Sequence, residues 1–170
     1  MGARVIAAAS SPEKLEFCRA HGADETIDYS REDLRERIKA LTAGRGVDVI
    51  YDPVGGPYSE PALRSMAWNG RFLVIGFTAG EIPRIPLNLP LLKGCSIVGV
   101  YYGGSLQHEP QRGEANMAEL LEWFRSGRVT PYVSATYPLE QAARALDDIA
   151  QRRARGKIVL VTEAGRAAGA

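Results

Sequence analysis

Short apolar runs alternate with helix-period segments along this chain, which confines it to helices layered on a mostly parallel sheet. The first run, Ala3-Arg4-Val5-Ile6-Ala7-Ala8-Ala9, follows Met1-Gly2 and turns at Ser10-Ser11-Pro12. It reads as a strand over Arg4–Ala9 feeding a helix. Ser11 offers an N-cap oxygen, Pro12 fits the first turn, and Glu13 suits the positive helix end. The chain thus reads as opening inside an α/β unit, as the C-terminal part of a larger protein would.

The same alternation continues. A short strand is expected over Glu25–Asp28, and Leu34, Ile38 and Leu41 repeat at helical spacing behind the capping residues Ser30-Arg31-Glu32-Asp33. Val47–Asp52 is apolar enough to be a strand buried on both faces. The spacing then predicts a helix over Ser59–Trp68, ended by Gly70, and a strand over Phe72–Phe77. Pro83, Pro86 and Pro90 make the stretch from Thr78 to Leu92 an ordered loop. Ser96–Tyr102 reads as strand, Ala115–Arg125 and Leu139–Gln151 as helices, and Lys157–Thr162 as the last strand, with a frayed tail behind it.

Bulk composition excludes several function classes. The 170 residues carry 21 basic and 20 acidic side chains, a net charge of +1, so no nucleic-acid surface is expected. Cys18 and Cys95 stand far apart in apolar contexts and read as free thiols of a reduced protein. No apolar stretch reaches the roughly 20 residues of a membrane span, and no basic segment opens a signal peptide. A soluble, cytoplasmic protein is expected, with no membrane partner.

Ligands of a parallel sheet sit at the carboxyl ends of its strands, so the turns after Ala9, Asp52 and Phe77 should converge on one crevice. At the end of the first strand a dinucleotide enzyme selects its cofactor: a carboxylate there accepts the ribose 2′-hydroxyl, whereas a cation admits a 2′-phosphate. Here Ala9 is followed by Ser10 and Ser11, with Lys14 one helical turn inside. Hydroxyls, helix N–H groups and an ammonium together suit a phosphate monoester. The plainer reading, in which Ser11 only caps the helix and Lys14 only faces water, stands beside it. Cys18, His21, Cys95 and His108 form no ligand spacing for zinc, so no metal is expected. No nucleophile elbow occurs. Ser105 and His108 read as loop residues, and Tyr101-Tyr102, with no Tyr-x-x-x-Lys spacing, as packing or interface residues. No catalytic residue is assigned.

Several segments occur in a telling order: Gly22-Ala23-Asp24, Thr26-Ile27-Asp28-Tyr29, Gly46 through Gly56, Gly70 through Phe77, Tyr137 through Ala142, and Gly156-Lys157-Ile158-Val159. Over residues 3–162 this set resembles the medium-chain dehydrogenases/reductases, and within them the zinc-free NADPH:quinone oxidoreductase group. The resemblance implies a Rossmann-type doubly wound parallel sheet lacking its first βα unit, plus a C-terminal helix-strand segment. It implies a partial dinucleotide-binding domain over 3–127, a segment over 128–163 returning to the substrate domain, and a disordered tail over 164–170.

By that resemblance Ser10, Ser11 and Lys14 meet the 2′-phosphate of NADPH, and Tyr29 lies on the adenosine side. Asp52, Val54 and Gly55 form a turn passing close to the dinucleotide. The backbone of Ile75, Gly76 and Phe77 lies near the nicotinamide carboxamide. Arg152 matches a position that reaches the cofactor phosphates, though within Gln151-Arg152-Arg153 it reads equally as a solvated helix end. The family's glycine-rich turn and substrate domain have no counterpart in the chain, which leaves a sheet without its central strand and with two open edges.

The implied activity is NADPH-dependent reduction of a quinone or an activated double bond (an enone) by hydride transfer. The alternative is a non-catalytic fragment serving at most as a dimerisation module. A receiver or methyltransferase-like domain would need a glycine-rich loop after its first strand, and Ala9-Ser10-Ser11-Pro12 is not one. The family also implies a homodimer through strand 96–102.

Overall fold

The computed structural model describes residues 2–151 and 153–168. The chain divides into two compact units, Met1–Gln107 and His108–Ala170. In the first, strands β1 (Ile6–Ala9), β2 (Glu25–Asp28), β3 (Val47–Asp52), β4 (Met66–Val74) and β5 (Ser96–Gly99) alternate with helices α1 (Pro12–Ala20), α2 (Leu34–Leu41), α3 (Ser59–Arg64) and α4 (Asn88–Lys93). Every strand pairing is parallel. The expected α/β architecture is thus present.

The strands form two sheets, β1-β2 and β3-β4-β5. No described strand joins β1 to β3, so each presents an unpaired edge, as expected for a sheet without its central strand. α2 packs against both β2 and α3. The core of the larger sheet is Ala62, Leu63, Met66, Phe72 and Leu89, flanked by Leu34, Val47, Ile50 and Val74.

Several boundaries differ from the sequence expectation. The helix after β3 ends at Arg64 rather than Trp68: the Ser65 hydroxyl turns back to donate to the Pro61 carbonyl, and Val47 takes Ser65 into the sheet by donating its N–H to the Ser65 carbonyl. Strand β4 therefore starts at Met66, with a register shift between Val47 and Val49, and Asn69 adopts a left-handed φ of 61°. β3 is not buried on both faces. Ile50 packs against the core, but Val49 and Tyr51 on the other face are 45% and 67% exposed. Part of the proline-bearing loop is helical, because Pro90 falls in the first turn of α4, where its missing N–H costs nothing. β5 stops at Gly99, and Tyr102 begins α5 (Tyr102–His108).

Gly46 shows how tightly the turn into β3 meets the end of α3. Its φ is +84°, and a Cβ there would lie 2.5 Å from the Ser65 carbonyl oxygen. Gly46→Ala combines left-handed strain with a backbone clash and should cost about 2–4 kcal/mol of stability. Urea denaturation of the two proteins checks this.

The second unit contains α6 (Pro110–Arg125), β6 (Val133–Pro138), α7 (Ala142–Ala150), β7 (Lys157–Val161) and α8 (Glu163–Ala168). β6 and β7 pair in parallel. β6 has no counterpart in the sequence reading, and residues 164–168, read there as tail, lie in α8. The Tyr137 hydroxyl donates to Asp148, which also accepts from Arg153 at 2.7 Å. That hydrogen bond holds Tyr137 above its ordinary pKa, while the Tyr137 hydroxyl and the Arg153 guanidinium hold Asp148 below the usual carboxylate range. No helix among the described residues is long and apolar enough to cross a membrane.

Candidate dinucleotide site

The carboxyl ends of β3 and β4 carry two loops that are stitched together. Asp52 sits at the end of β3, and its carboxylate builds the turn behind it. Oδ1 accepts the N–H groups of Val54 (2.9 Å) and Gly55 (3.0 Å), and Oδ2 accepts the Ser59 hydroxyl (2.7 Å). The turn continues at Gly55 with φ 70° and ψ −151°, a conformation essentially confined to glycine. A Cβ on Gly55 would stand 2.8 Å from the Phe77 ring, so its absence lets Phe77 close over the turn.

Backbone hydrogen bonds extend that contact. The N–H groups of Ile75 and Gly76 both donate to the Asp52 carbonyl, at 3.0 and 3.3 Å. Thr78 donates to Pro53, Ala79 to Val54, and Gly56 in the opposite sense to Glu81. Asp52, Val54, Gly55, Ile75, Gly76 and Phe77 are therefore one constellation. Behind it lies an apolar cavity of about 190 Å³, walled by Leu63, Phe72, Val74, Ile85 and Ile97.

The other expected residues cluster at the end of β1. Ser11 caps α1: its hydroxyl oxygen accepts the Lys14 N–H at 3.4 Å, and its carbonyl accepts the Leu15 N–H. The plain capping role is real, yet the Ser11 O–H remains available as a donor. Lys14 is half-buried, and among the described residues no carboxylate pairs with its ammonium. Tyr29 is tied beside this corner, since its N–H donates to the Ala9 carbonyl at 3.2 Å. Arg152 lies outside the described residues.

One side chain that sequence reasoning missed connects the two clusters. Tyr58 ends a single 3-10 turn (Gly56–Tyr58), and its ring stands 4.5 Å from that of Tyr29, tilted by 48°. The only signal in the sequence was an aromatic residue immediately after Gly-Gly-Pro, which names no partner. Among the described residues, no group of three or more His, Cys, Asp or Glu side chains could hold a metal ion.

An ammonium with no carboxylate partner among the described residues, at a capped helix start, suits a 2′-phosphorylated ribose. The residues present fit NADPH.

Known proteins share the fold. The zinc-binding dehydrogenase family profile matches residues 1–124. The quinone oxidoreductase-like protein 2 homolog of Nematostella vectensis is 42% identical over 163 residues, covering 95% of this chain and 44% of that protein. The quinone oxidoreductase of Pseudomonas aeruginosa is 34% identical, covering 95% of this chain and 50% of that protein. The crystal structure of Escherichia coli quinone oxidoreductase complexed with NADPH superposes with a TM-score of 0.85 at 28% identity, covering 94% of this chain and 50% of that one. The chain spans about half the length of the relatives it matches.

Proposed function

We infer the function from one premise: this chain belongs to the zinc-binding dehydrogenase family of medium-chain dehydrogenases/reductases, in the zinc-free quinone oxidoreductase group. Its reading is as the dinucleotide-holding part of an NADPH-dependent oxidoreductase that reduces a quinone or an activated double bond. The carrying observation is the corner at the end of β1, where Ala9, Ser10, Ser11 and Lys14, which no carboxylate pairs among the described residues, offer donors and a positive charge but no carboxylate.

NADPH, when bound, supplies the hydride; the protein supplies its orientation. Ser10, Ser11 and Lys14 hold the 2′-phosphate, which fixes the adenosine end. Tyr29 faces the adenosine. The turn Asp52–Gly55, over which Phe77 closes, borders the dinucleotide. Ile75, Gly76 and Phe77 present main-chain groups to the nicotinamide end. None of these residues is assigned as an acid or base, so the chain acts by placement.

Cofactor preference tests the reading. A charge-assisted hydrogen bond contributes roughly 1.5–3 kcal/mol, which corresponds to about ten- to a hundredfold in affinity. In an active enzyme that contains this chain, Lys14→Ala should raise the Michaelis constant for NADPH by that factor and leave the constant for NADH nearly unchanged. Equal losses with both cofactors would remove Lys14 from the 2′-phosphate site.

A further inference from the structure

We propose that Tyr58 is a positioning residue for the adenine base: it backs the Tyr29 ring and fixes the plane on which the base stacks. This rests on the NADPH reading, which places the adenosine end beside Tyr29.

In a 2′-phosphorylated nucleotide, the phosphate and the base are carried on neighbouring ribose carbons. A 2′-phosphate held by Ser11 and Lys14 therefore leaves the base beside the end of β1. Tyr29 stands there, held through its N–H to the Ala9 carbonyl. That bond fixes only the backbone of Tyr29; the two side-chain torsions stay open unless something packs against the ring. The Tyr58 ring, 4.5 Å away at a 48° tilt, does so.

Tyr58 is itself well anchored from both sides. On one side, Gly56 donates to the Glu81 carbonyl at 3.0 Å. On the other, Ser59 is 2% exposed and its hydroxyl is bonded to Asp52. Both tyrosines are only partly buried, so the pair keeps open surface for a base. The contact also ties β2, in one sheet, to the turn after β3, in the other. The placement of the base is thereby linked to the turn that borders the rest of the dinucleotide.

The test measures binding of adenosine 2′,5′-bisphosphate, the adenosine half of the cofactor, to this chain by calorimetry, with no turnover needed. Stacking on an aromatic side chain responds strongly to alanine substitution, whereas an aromatic pair contributes less. Tyr58→Ala should weaken the bisphosphate roughly three- to tenfold, and Tyr58→Phe should bind it as the parent does. In a Tyr29→Ala background, Tyr58→Ala should add no further loss, because its effect passes through Tyr29. A purely structural role would lower the melting temperature without that non-additivity. Should Tyr58→Ala melt early, Tyr58→Leu keeps apolar bulk without a ring face and takes its place. If Lys14→Ala weakens the bisphosphate while Tyr58→Ala and Tyr58→Leu do not, the Tyr58 proposal fails and the cofactor reading stands. If the unaltered chain does not bind the bisphosphate at all, the cofactor reading falls and the proposal with it.

Discussion

Assayed as the 170-residue chain, the protein should leave NADPH unoxidised in the presence of a quinone. The assigned contacts are divided between two sheets. Ser10, Ser11, Lys14 and Tyr29 belong to the β1-β2 side, whereas Asp52, Val54, Gly55, Ile75, Gly76 and Phe77 belong to the β3-β4-β5 side. Among the described residues, no backbone ladder holds those sides in register. Hydride transfer needs reacting atoms about 3–3.5 Å apart, and a misplacement of about 1 Å costs on the order of a hundredfold in rate. Loss of NADPH absorbance in the steady state measures this, and the expected rate is indistinguishable from that without protein. Sustained turnover by material free of any longer form would show that the two sheets alone hold the cofactor.

Val98→Lys combined with Val100→Lys should convert a homodimer into a folded monomer, halving the mass seen by light scattering. β5 bonds to β4 on one side only, and its other edge has no strand partner among the described residues. Ile97, Val98 and Val100 are 40%, 37% and 41% exposed, and Tyr101 and Tyr102 beyond them are more exposed still. An apolar edge with neither charge nor proline is a template for pairing with another chain. A second copy meeting it across a two-fold axis buries the same strand twice, the commonest oligomer symmetry. Four lysines then face one another across the axis. A double variant that remains dimeric places the interface elsewhere.

What could be read in the sequence followed the range of each signal. Parallel strands separated by helices are written locally, in short β-branched runs between turns, and each strand of the first unit was legible at least in part, β4 only over Phe72–Val74. The convergence of Asp52–Gly55 with Ile75–Phe77 was legible too, because a parallel sheet brings successive carboxyl-end loops together. Boundaries failed where tertiary contact overrode local preference. Gly70 reads as a helix stop, but Val47 recruits Ser65 and ends α3 first. The apolarity of Val47–Asp52 reads as two buried faces, whereas only the face carrying Ile50 is covered in this chain. Tyr58 could not be found from sequence, since its meaning lies in a ring more than twenty positions away that only the fold delivers.

The gap between β1 and β3 has a thermodynamic consequence. Side-chain packing through α2 and the Tyr29–Tyr58 contact join the two sheets, so separating them breaks no strand ladder. Each side can open as its own cooperative unit, at a cost below that of global unfolding. A ligand that touches both sides stabilises only the state in which they are together, by an amount that grows with its concentration over its dissociation constant. The dinucleotide would then serve as a structural element as well as a reactant, merging two melting units into one.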